Sequence, residues 1–354
     1  MLEDRLPPRE AFYDDLSRND ITDEAYEFAQ KVWETFNCKT LQDYMEIYLL
    51  ADVLLLCDVF ESFRSNCLSD YELDPVHYFS SAHFTFDAFL RKSRANLELL
   101  SDINQYLFFR KGIRGGMSMV CKRFSVANNK YMGSTYDSSM PSKYIIDLDC
   151  NNLYGRAMLD YLPVGGFTWV EPRFISLKSL LHLPPDAEYG YILDVSFSYP
   201  SSLHDYHADY PLAPTKTKTP FSSLSPVAKT ICLKHNLRKS TGAEKLVASF
   251  DPKLTYVLHY RNLQLYVKLG LKIEQIHRGI MFKQAPVMRE YVAYNSEKRA
   301  AATNEFDVGF YKLLSNSLFG KTIERPDNRS KVRLVSKIAS YEKCVSDLNF
   351  KSAK

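Results

Sequence analysis

The sequence predicts an α+β fold, because helical and strand patterns occupy separate stretches instead of alternating. Apolar residues recur at helical spacing from Thr40 to Ser65, and again over Val287–Ala302 and Phe310–Gly320. Short runs of β-branched and aromatic residues lie between them, at Tyr144–Leu148, Tyr191–Phe197 and Lys272–Phe282. At 354 residues there is room for two or three domains or one large enzyme body. With 24 Tyr and 22 Phe, the chain can fill a sizeable core and still line stacking surfaces. A net charge of +3 is too small to imply nucleic-acid binding by itself. The seven cysteines are scattered with no C-x-x-C pair, which argues against a zinc site and for reduced thiols in an intracellular, reducing compartment. The start, MLEDRLPPRE, has no apolar signal core, and the longest apolar run, Tyr48–Phe60, is cut by Asp52 and Asp58. No membrane partner is therefore expected.

Residues 1–35 are acidic and begin as an extended segment around Pro7-Pro8. Asp23–Phe36 then reads as a short helix with Ala25, Phe28, Ala29, Val32 and Trp33 on one side. Thr40, with Asp43 at its third position, is the expected cap of a long helix through Ser65. Tyr48 and Asp52 are four apart on that helix and share a face, which by itself suits a structural pair. Residues 66–110 read as helices and connectors. In KGIRGGMSMV, Arg114 precedes Gly115-Gly116; paired glycines let a backbone lie close to a phosphate chain, although such a pair is also a common turn.

In KYIIDLDCNNLYGRAMLDY, the run Tyr144–Leu148 reads as a strand with Asp147 and Asp149 on one face. Asn151-Asn152 breaks it, and Leu153, Tyr154, Ala157 and Met158 restart at helical spacing. An acid at a strand end, before an exposed turn, suits a divalent cation held against a phosphate; a lone D-x-D also fits an Asp that caps the next helix. Tyr191–Phe197 reads as a neighbouring strand. Tyr210–Ala243 has no acidic residue against Lys216, Lys218, Lys229, Lys234, Arg238 and Lys239, a basic loop suited to phosphate or simply to solvent. Val257–Leu269 reads as an amphipathic helix ending at Gly270, followed by the strand KIEQIHRGIMF. A helix over Val287–Ala302, a break over Thr303–Val308 and a helix to Gly320 complete the pattern. Lys312, Asn316 and Gly320 fall on one face of that last helix, with Leu313, Leu314, Leu318 and Phe319 for packing.

D-x-x-N-L-Y at Asp149–Tyr154, followed by K-x-x-x-N-S-x-F-G at Lys312–Gly320, resembles motifs A and B of family B DNA polymerases. The similarity is to the protein-primed branch, found in linear viral genomes and Maverick/Polinton self-synthesising DNA transposons. DYMEIYLLADVLLLCDVFESFR likewise resembles the third exonuclease motif, which would make Asp52 a metal ligand and Tyr48 the residue orienting a water. The Arg114 turn resembles the Y-x-G-G linker that contacts primer-template DNA, with Ile113 where Tyr is common. The basic stretch and HADYPLAP (His207–Pro214) correspond by position to an insertion that serves the protein primer and the DNA.

The resemblance implies a site. Asp149 and the Cys150 carbonyl would hold metal, two Mg²⁺ in the complete enzyme with Mn²⁺ as a substitute. Asp149 and Lys312 would be the catalytic pair. Asn152, Leu153, Tyr154, Arg299, Lys312 and Asn316 would bind the deoxynucleoside triphosphate, with Tyr154 rejecting a 2′-hydroxyl. Arg299 lies thirteen residues before Lys312, off one face of a continuous helix, so a hairpin would bring both cations to one triphosphate. Arg114, Gly115, Gly116, Ser317 and Gly320 would contact DNA.

Gly155 stands where motif A commonly has Pro, and Phe319 where motif B commonly has Tyr. No D-T-D occurs, so the motif C hairpin, with its second metal-binding Asp, is missing along with the thumb and the early exonuclease acids. The resemblance thus implies the middle of an enzyme: the C-terminal part of an exonuclease domain (1–66), a helical connector (67–110), a palm with an antiparallel sheet (111–285, insertion at about 200–255), helical-hairpin fingers (286–325) and a return to the palm (326–354). Its partners would be primer-template DNA, deoxynucleoside triphosphates and a terminal primer protein, in the nucleus if the host is eukaryotic. The expectation is a DNA-directed DNA polymerase, inactive as this piece alone. The alternative is a non-catalytic viral or transposon remnant that binds DNA or a protein.

Overall fold

The computed structural model describes residues 3–237, 244–325, 333, 335–348 and 350–353. They form two compact units, Met1–Phe84 and Thr85–Lys354. In the first, α1 (Asp23–Thr35) opens at Thr22, whose side chain accepts from the Ala25 N–H. Ala29 is buried but Phe28 is exposed, so the apolar side of α1 is narrower than its spacing suggests. The expected capping box is present: Thr40 accepts from the Asp43 N–H, and Asp43 accepts from the Thr40 N–H. The helix it starts, α2 (Leu41–Tyr71), runs beyond Ser65 and ends at Glu72 in the left-handed conformation. Arg64 then clasps Asp74 through Nε and Nη2, and those bonds hold the Asp74 carboxyl below its ordinary range. Tyr71 and Tyr78 both meet the Phe84 ring edge-on.

α3 (Ser81–Ser93) leads into the second unit, followed by α4 (Ile103–Gly112) and the short α5 (Leu153–Met158). Next come β1 (Leu162–Val170), α6 (Leu177–Leu181) and β2 (Tyr189–Ser198). β3 (Thr215–Thr217), α7 (Pro226–Lys234) and β4 (Lys245–Val247) make an excursion before β5 (Lys253–His259), α8 (Tyr260–Lys268) and β6 (Lys272–Ala285). α9 (Arg289–Ala301), α10 (Glu305–Thr322) and α11 (Ile338–Val345) close the chain.

The main sheet is antiparallel with order β1-β6-β2-β5. Alternation along β2 and β5 supplies both of its faces. Leu193, Val195, Phe197, Tyr256 and Leu258 pack with Tyr260 and Leu263 on one side. Ile192, Val257 and Ile280 meet Phe108 and Trp169 on the other. β2 and β6 fall where the sequence predicts strands.

Three expectations need correction. Tyr144–Leu148 is not a strand: its residues are exposed, and among the described residues no strand pairs with them. β-propensity alone does not make a strand without a partner ladder. Val257–Leu269 is not one helix, because Tyr256–His259 pair with β2 and helix begins only at Tyr260. Tertiary pairing overrides the helical spacing there, and the His259 ring caps α8 by accepting from the Arg261 N–H. The basic stretch is not a plain loop. β3 pairs with β4 to close the base of an excursion that carries α7, and Lys216, Lys218 and Lys234 are exposed on it. Arg238 and Lys239 lie outside the described residues. The preceding His207–Pro214 segment is tied to the core: Tyr199 Oη meets His207 Nδ1 at 2.6 Å, Tyr256 Oη donates to the Pro214 carbonyl, and Ala213 is fully buried.

Two measurements test this packing. A Cβ at Gly190 would come within 2.6 Å of the buried Phe282 ring and 2.7 Å of Gln284 Oε1. Gly190→Ala is therefore expected to cost about 1–3 kcal/mol in denaturant unfolding. Burial, aided by the Arg261 charge, pushes the His259 imidazole from 6.5 down to about 4. Below pH 6.5 the unfolded chain takes up a proton that folded His259 refuses. Stability from this group should fall as pH drops from 6.5 to 4, by at most about 1.4 kcal/mol per pH unit. His259→Gln should flatten that slope in pH-dependent melts.

Candidate nucleotide-binding site

α9 and α10 form a helical hairpin joined across Ala302–Asn304. The break is shorter than Thr303–Val308 because Asn304 caps α10, accepting from the Asp307 N–H at 2.8 Å. Phe310, Tyr311, Leu314 and Leu318 bury one side of α10, whereas Leu313, expected in the packing, is half exposed. Lys312, Asn316 and Gly320 are exposed, and Ser317 is half buried. A Cβ at Gly320 would meet nothing within 4 Å. The hairpin places Arg299 and Lys312 on the wall of one cleft of about 290 Å³, together with Asn152, Ser296, Tyr311 and Ser315. Two cations from separate helices thus face a polar residue of the α5 turn.

Local geometry explains that turn. Asn152 is left-handed, at φ 52°, and its carbonyl accepts from the Arg156 N–H. Its side chain crowds Gly155, where a Cβ would lie 2.3 Å from it, so Gly replaces the usual Pro for a steric reason. Leu153 is exposed. Tyr154 stacks face to face on Phe319, with ring centroids 4.0 Å apart and planes 5° apart. The two sequence motifs are therefore in contact.

Ion pairs hold the far end of α5. Asp160 takes Arg156 on one oxygen at 3.0 Å and Arg261 on the other at 2.9 Å. Burial raises its carboxyl, and these two bonds more than offset that, leaving it lowered. Arg289 donates twice to the Leu159 carbonyl, at 3.2 and 3.1 Å, tying the start of α9 to the end of α5. Sequence reading misses Asp160, Arg261, Arg289, Ser296, Tyr311 and Ser315. Only the i,i+4 spacing of Arg156 and Asp160 signals any of them.

Asp147, Asp149 and Cys150 lie on the exposed extended segment before α5. Asp149 and the Cys150 carbonyl are oxygen donors of the kind Mg²⁺ takes, but two donors against about six required. Among the described residues no three His, Cys, Asp or Glu gather to complete the set. Arg114 is engaged within the fold. Its Nη1 donates to the Gly112 and Val257 carbonyls, its guanidinium sits 3.7 Å from the Tyr256 ring centroid, and burial lowers its pKa. Gly115 and Gly116 beside it are exposed, and a Cβ at either would meet nothing within 4 Å. In the first unit, Tyr48 and Asp52 are both exposed on α2, as is every residue from Tyr48 to Ser62. All seven cysteines are free, and among the described residues no helix is long and apolar enough to cross a membrane.

An antiparallel sheet thus lies among helices, with a cation-lined helical hairpin set against one short turn. Phi29 DNA polymerase in its orthorhombic crystal form has a similar fold, with a TM-score of 0.50 at 15% identity over 84% of this chain and 47% of that one. Phi29 DNA polymerase complexed with primer-template DNA and incoming nucleotide substrates is a more distant match, with a TM-score of 0.44, 15% identity, and 88% and 43% coverage. This chain spans about half the length of those structures. No curated protein matches it. The pattern of DNA polymerase type B, organellar and viral, extends over residues 15–349, and the chain belongs to that family. The motif resemblance is borne out at that level.

The Asp160 cluster gives a direct test of how α5 is held. Asp160→Ala and Arg261→Ala should each lower stability, and the double variant should lose less than their sum. With solvent screening at this partly exposed pair, the coupling should be about 1 kcal/mol in chemical denaturation.

Proposed function

We propose that this chain supplies the nucleotide site and part of the catalytic centre of a protein-primed, DNA-directed DNA polymerase. The observation that carries this reading is the cleft where Arg299 and Lys312 face Asn152, next to the Tyr154–Phe319 stack. In nucleotidyl transfer a primer 3′-hydroxyl attacks the α-phosphate and pyrophosphate leaves. Lys312 and Arg299 neutralise the triphosphate and the charge growing on the leaving group. Asn152 and Leu153 border its phosphates. Tyr154, its ring fixed by Phe319, lies under the sugar and excludes a 2′-hydroxyl. Asn316, Ser317 and Gly320 follow the nascent base pair. Asp149 and the Cys150 carbonyl would supply two of the oxygen ligands of a divalent ion, Mg²⁺ or Mn²⁺. Such ions, when bound as a pair, stabilise attacking and leaving oxygens.

On this reading Arg114, Gly115 and Gly116 border primer-template DNA, and the excursion carrying α7 meets DNA and a terminal primer protein. Tyr48 and Asp52 belong to an exonuclease portion over 1–66, joined by a connector over 67–110 to a palm over 111–285, fingers over 286–325 and a return to the palm over 326–354. The free thiols suit a reducing compartment, and a viral or transposon source suits the family.

One observation favours the second reading, a non-catalytic remnant that binds DNA or a protein: the described residues gather no complete ligand set around Asp149. These 354 residues alone are accordingly expected to bind substrates without extending a primer. Titration with a deoxynucleoside triphosphate should show binding that weakens about tenfold or more in Lys312→Ala and in Arg299→Ala, the scale of a charge-assisted bond. No triphosphate binding would refute the assignment of the cleft. Primer extension by these residues alone, lost in Asp149→Asn, would overturn the inactive reading. In a longer chain supplying a second carboxylate, Asp149→Asn should abolish extension while sparing DNA binding.

A further inference from the structure

Before α5 the chain makes a closed loop whose two flanks stand open. Asn128 and Lys143 form an isolated antiparallel pair and exchange both main-chain bonds. The Asn128 N–H donates to the Lys143 carbonyl at 2.9 Å, and the Lys143 N–H donates to the Asn128 carbonyl at 2.6 Å. Side chains knit the loop behind this pair. Asn128 Nδ2 donates to the Asp137 carbonyl at 2.9 Å, and its Oδ1 accepts from the Asp137 N–H at 3.0 Å. Asn129 Nδ2 adds a bond to the Lys143 carbonyl at 3.2 Å. The closed end of a hairpin is therefore in place, with its loop-closure entropy already lost. The flanks that leave it, Cys121–Ala127 and Tyr144–Cys150, carry no regular structure and are exposed, half-buried Ala127 apart.

A doubly bonded antiparallel pair fixes the register of any ladder that grows from it. That register sets Val126 against Ile145 and Lys122 against Asp149, a β-branched pair and an opposite-charge pair, both favourable across strands. It also sets Cys121 against Cys150, each seven residues from the bonded pair. Bonded and non-bonded pairs alternate along such a ladder, so an odd number of steps makes theirs a non-hydrogen-bonded site. Cα atoms there lie about 4.5 Å apart, within the range of about 4.4–6.8 Å that a disulfide takes. No other cysteine lies between Cys67 and Cys232 in the sequence, yet these two fall directly opposite each other. Both thiols are free and exposed, and Cys121 Sγ donates to the Asp209 carbonyl at 2.6 Å, a bond that zipping gives up.

We infer that Cys121 and Cys150 form a redox-sensitive latch: the flanks zip in the Asn128–Lys143 register, and a disulfide between the two thiols holds the zipped state. The thiols give two protons and two electrons to a disulfide oxidant, which leaves as two thiols, and a reductant reverses the exchange. The regulatory meaning of the latch rests on the proposed cation site, because it fixes the segment that carries Asp149 and the Cys150 carbonyl. The test is to expose the 354-residue chain to oxidised glutathione, digest it and map linked cysteines by mass spectrometry. A link between Cys121 and Cys150 should dominate, disappear on reduction and be lost in Cys121→Ser. Two further chains test the register. Val120→Cys combined with Cys121→Ser moves the thiol one step, onto the opposite face, and should not link to Cys150. Arg123→Cys with Leu148→Cys, in a chain with Cys121→Ser and Cys150→Ser, restores a non-hydrogen-bonded pair nearer the closed end and should link. Chymotrypsin cleavage at Tyr144 should slow in the oxidised native chain and recover on reduction. Predominant links to any other cysteine, equal linking by Val120→Cys, or cleavage at Tyr144 unchanged by oxidation would overturn the inference. These readouts use neither nucleotide nor metal, so triphosphate titration run in parallel keeps the two readings apart. A latch without triphosphate binding rejects the nucleotide cleft alone, and triphosphate binding without a latch rejects the latch alone.

Discussion

The hydrogen-bond ladder of β6 is the interaction on which the second unit depends. This 14-residue strand pairs with β2 along its length and with β1 through its final half, so two neighbours are fixed by one segment. At the top of that ladder Leu162 lies opposite Ala285. Leu162 is where the chain arrives from α5, and Ala285 is where it departs toward α9. Register alone therefore brings the α5 turn beside the base of the helical hairpin, and the Arg289 bonds to the Leu159 carbonyl fasten the two within a few residues of that pair. The cleft with Arg299, Lys312 and Asn152 follows from strand pairing, with no need for a long-range loop to carry one motif to the other.

How much could be read in the sequence divides along physical lines. Features written in local chemistry were legible: the Thr40–Asp43 cap, the alternation of β2, the stripe of Lys312, Asn316 and Gly320, and the need for a hairpin to unite Arg299 with Lys312. Features that depend on partners were not. β1 contains Pro163, Gly165 and Gly166, which weaken any strand signal, and its register shifts fall at those residues. β5 has helical spacing but joins β2, because pairing outweighs propensity in a half-buried segment. Tyr144–Leu148 shows the converse: strong β-propensity with no ladder to enter. Of the candidate site, residue identities were visible and their supports were not. Arg261 and Arg289 hold the end of α5 through contacts that span 101 and 130 residues, a separation that no local pattern encodes.

Two substitutions within the motifs have a structural reading. Gly155 gives room to the Asn152 side chain, which a pyrrolidine ring at 155 would displace. Phe319 lacks the hydroxyl common at its position but keeps a flat ring parallel to Tyr154. Parallel stacking at this distance uses the face of the ring and not its edge, so the missing hydroxyl leaves the contact intact. The HADYPLAP segment, with His207 and Ala213 buried, likewise anchors the excursion that bears α7, through Tyr199, His207 and Pro214, so its charged part is presented from a fixed base.

The exposed stretch around Asp149 has a consequence in terms of chain entropy. Residues 144–150 have neither a ladder nor burial to offset the freedom lost on ordering, a cost of about 1–2 kcal/mol per residue. Over the segment that sum approaches the stability of a small domain. Any partner that ordered Tyr144–Leu148 would bear this cost in advance, and on the proposed reading Asp149 would then meet a cation from a fixed position.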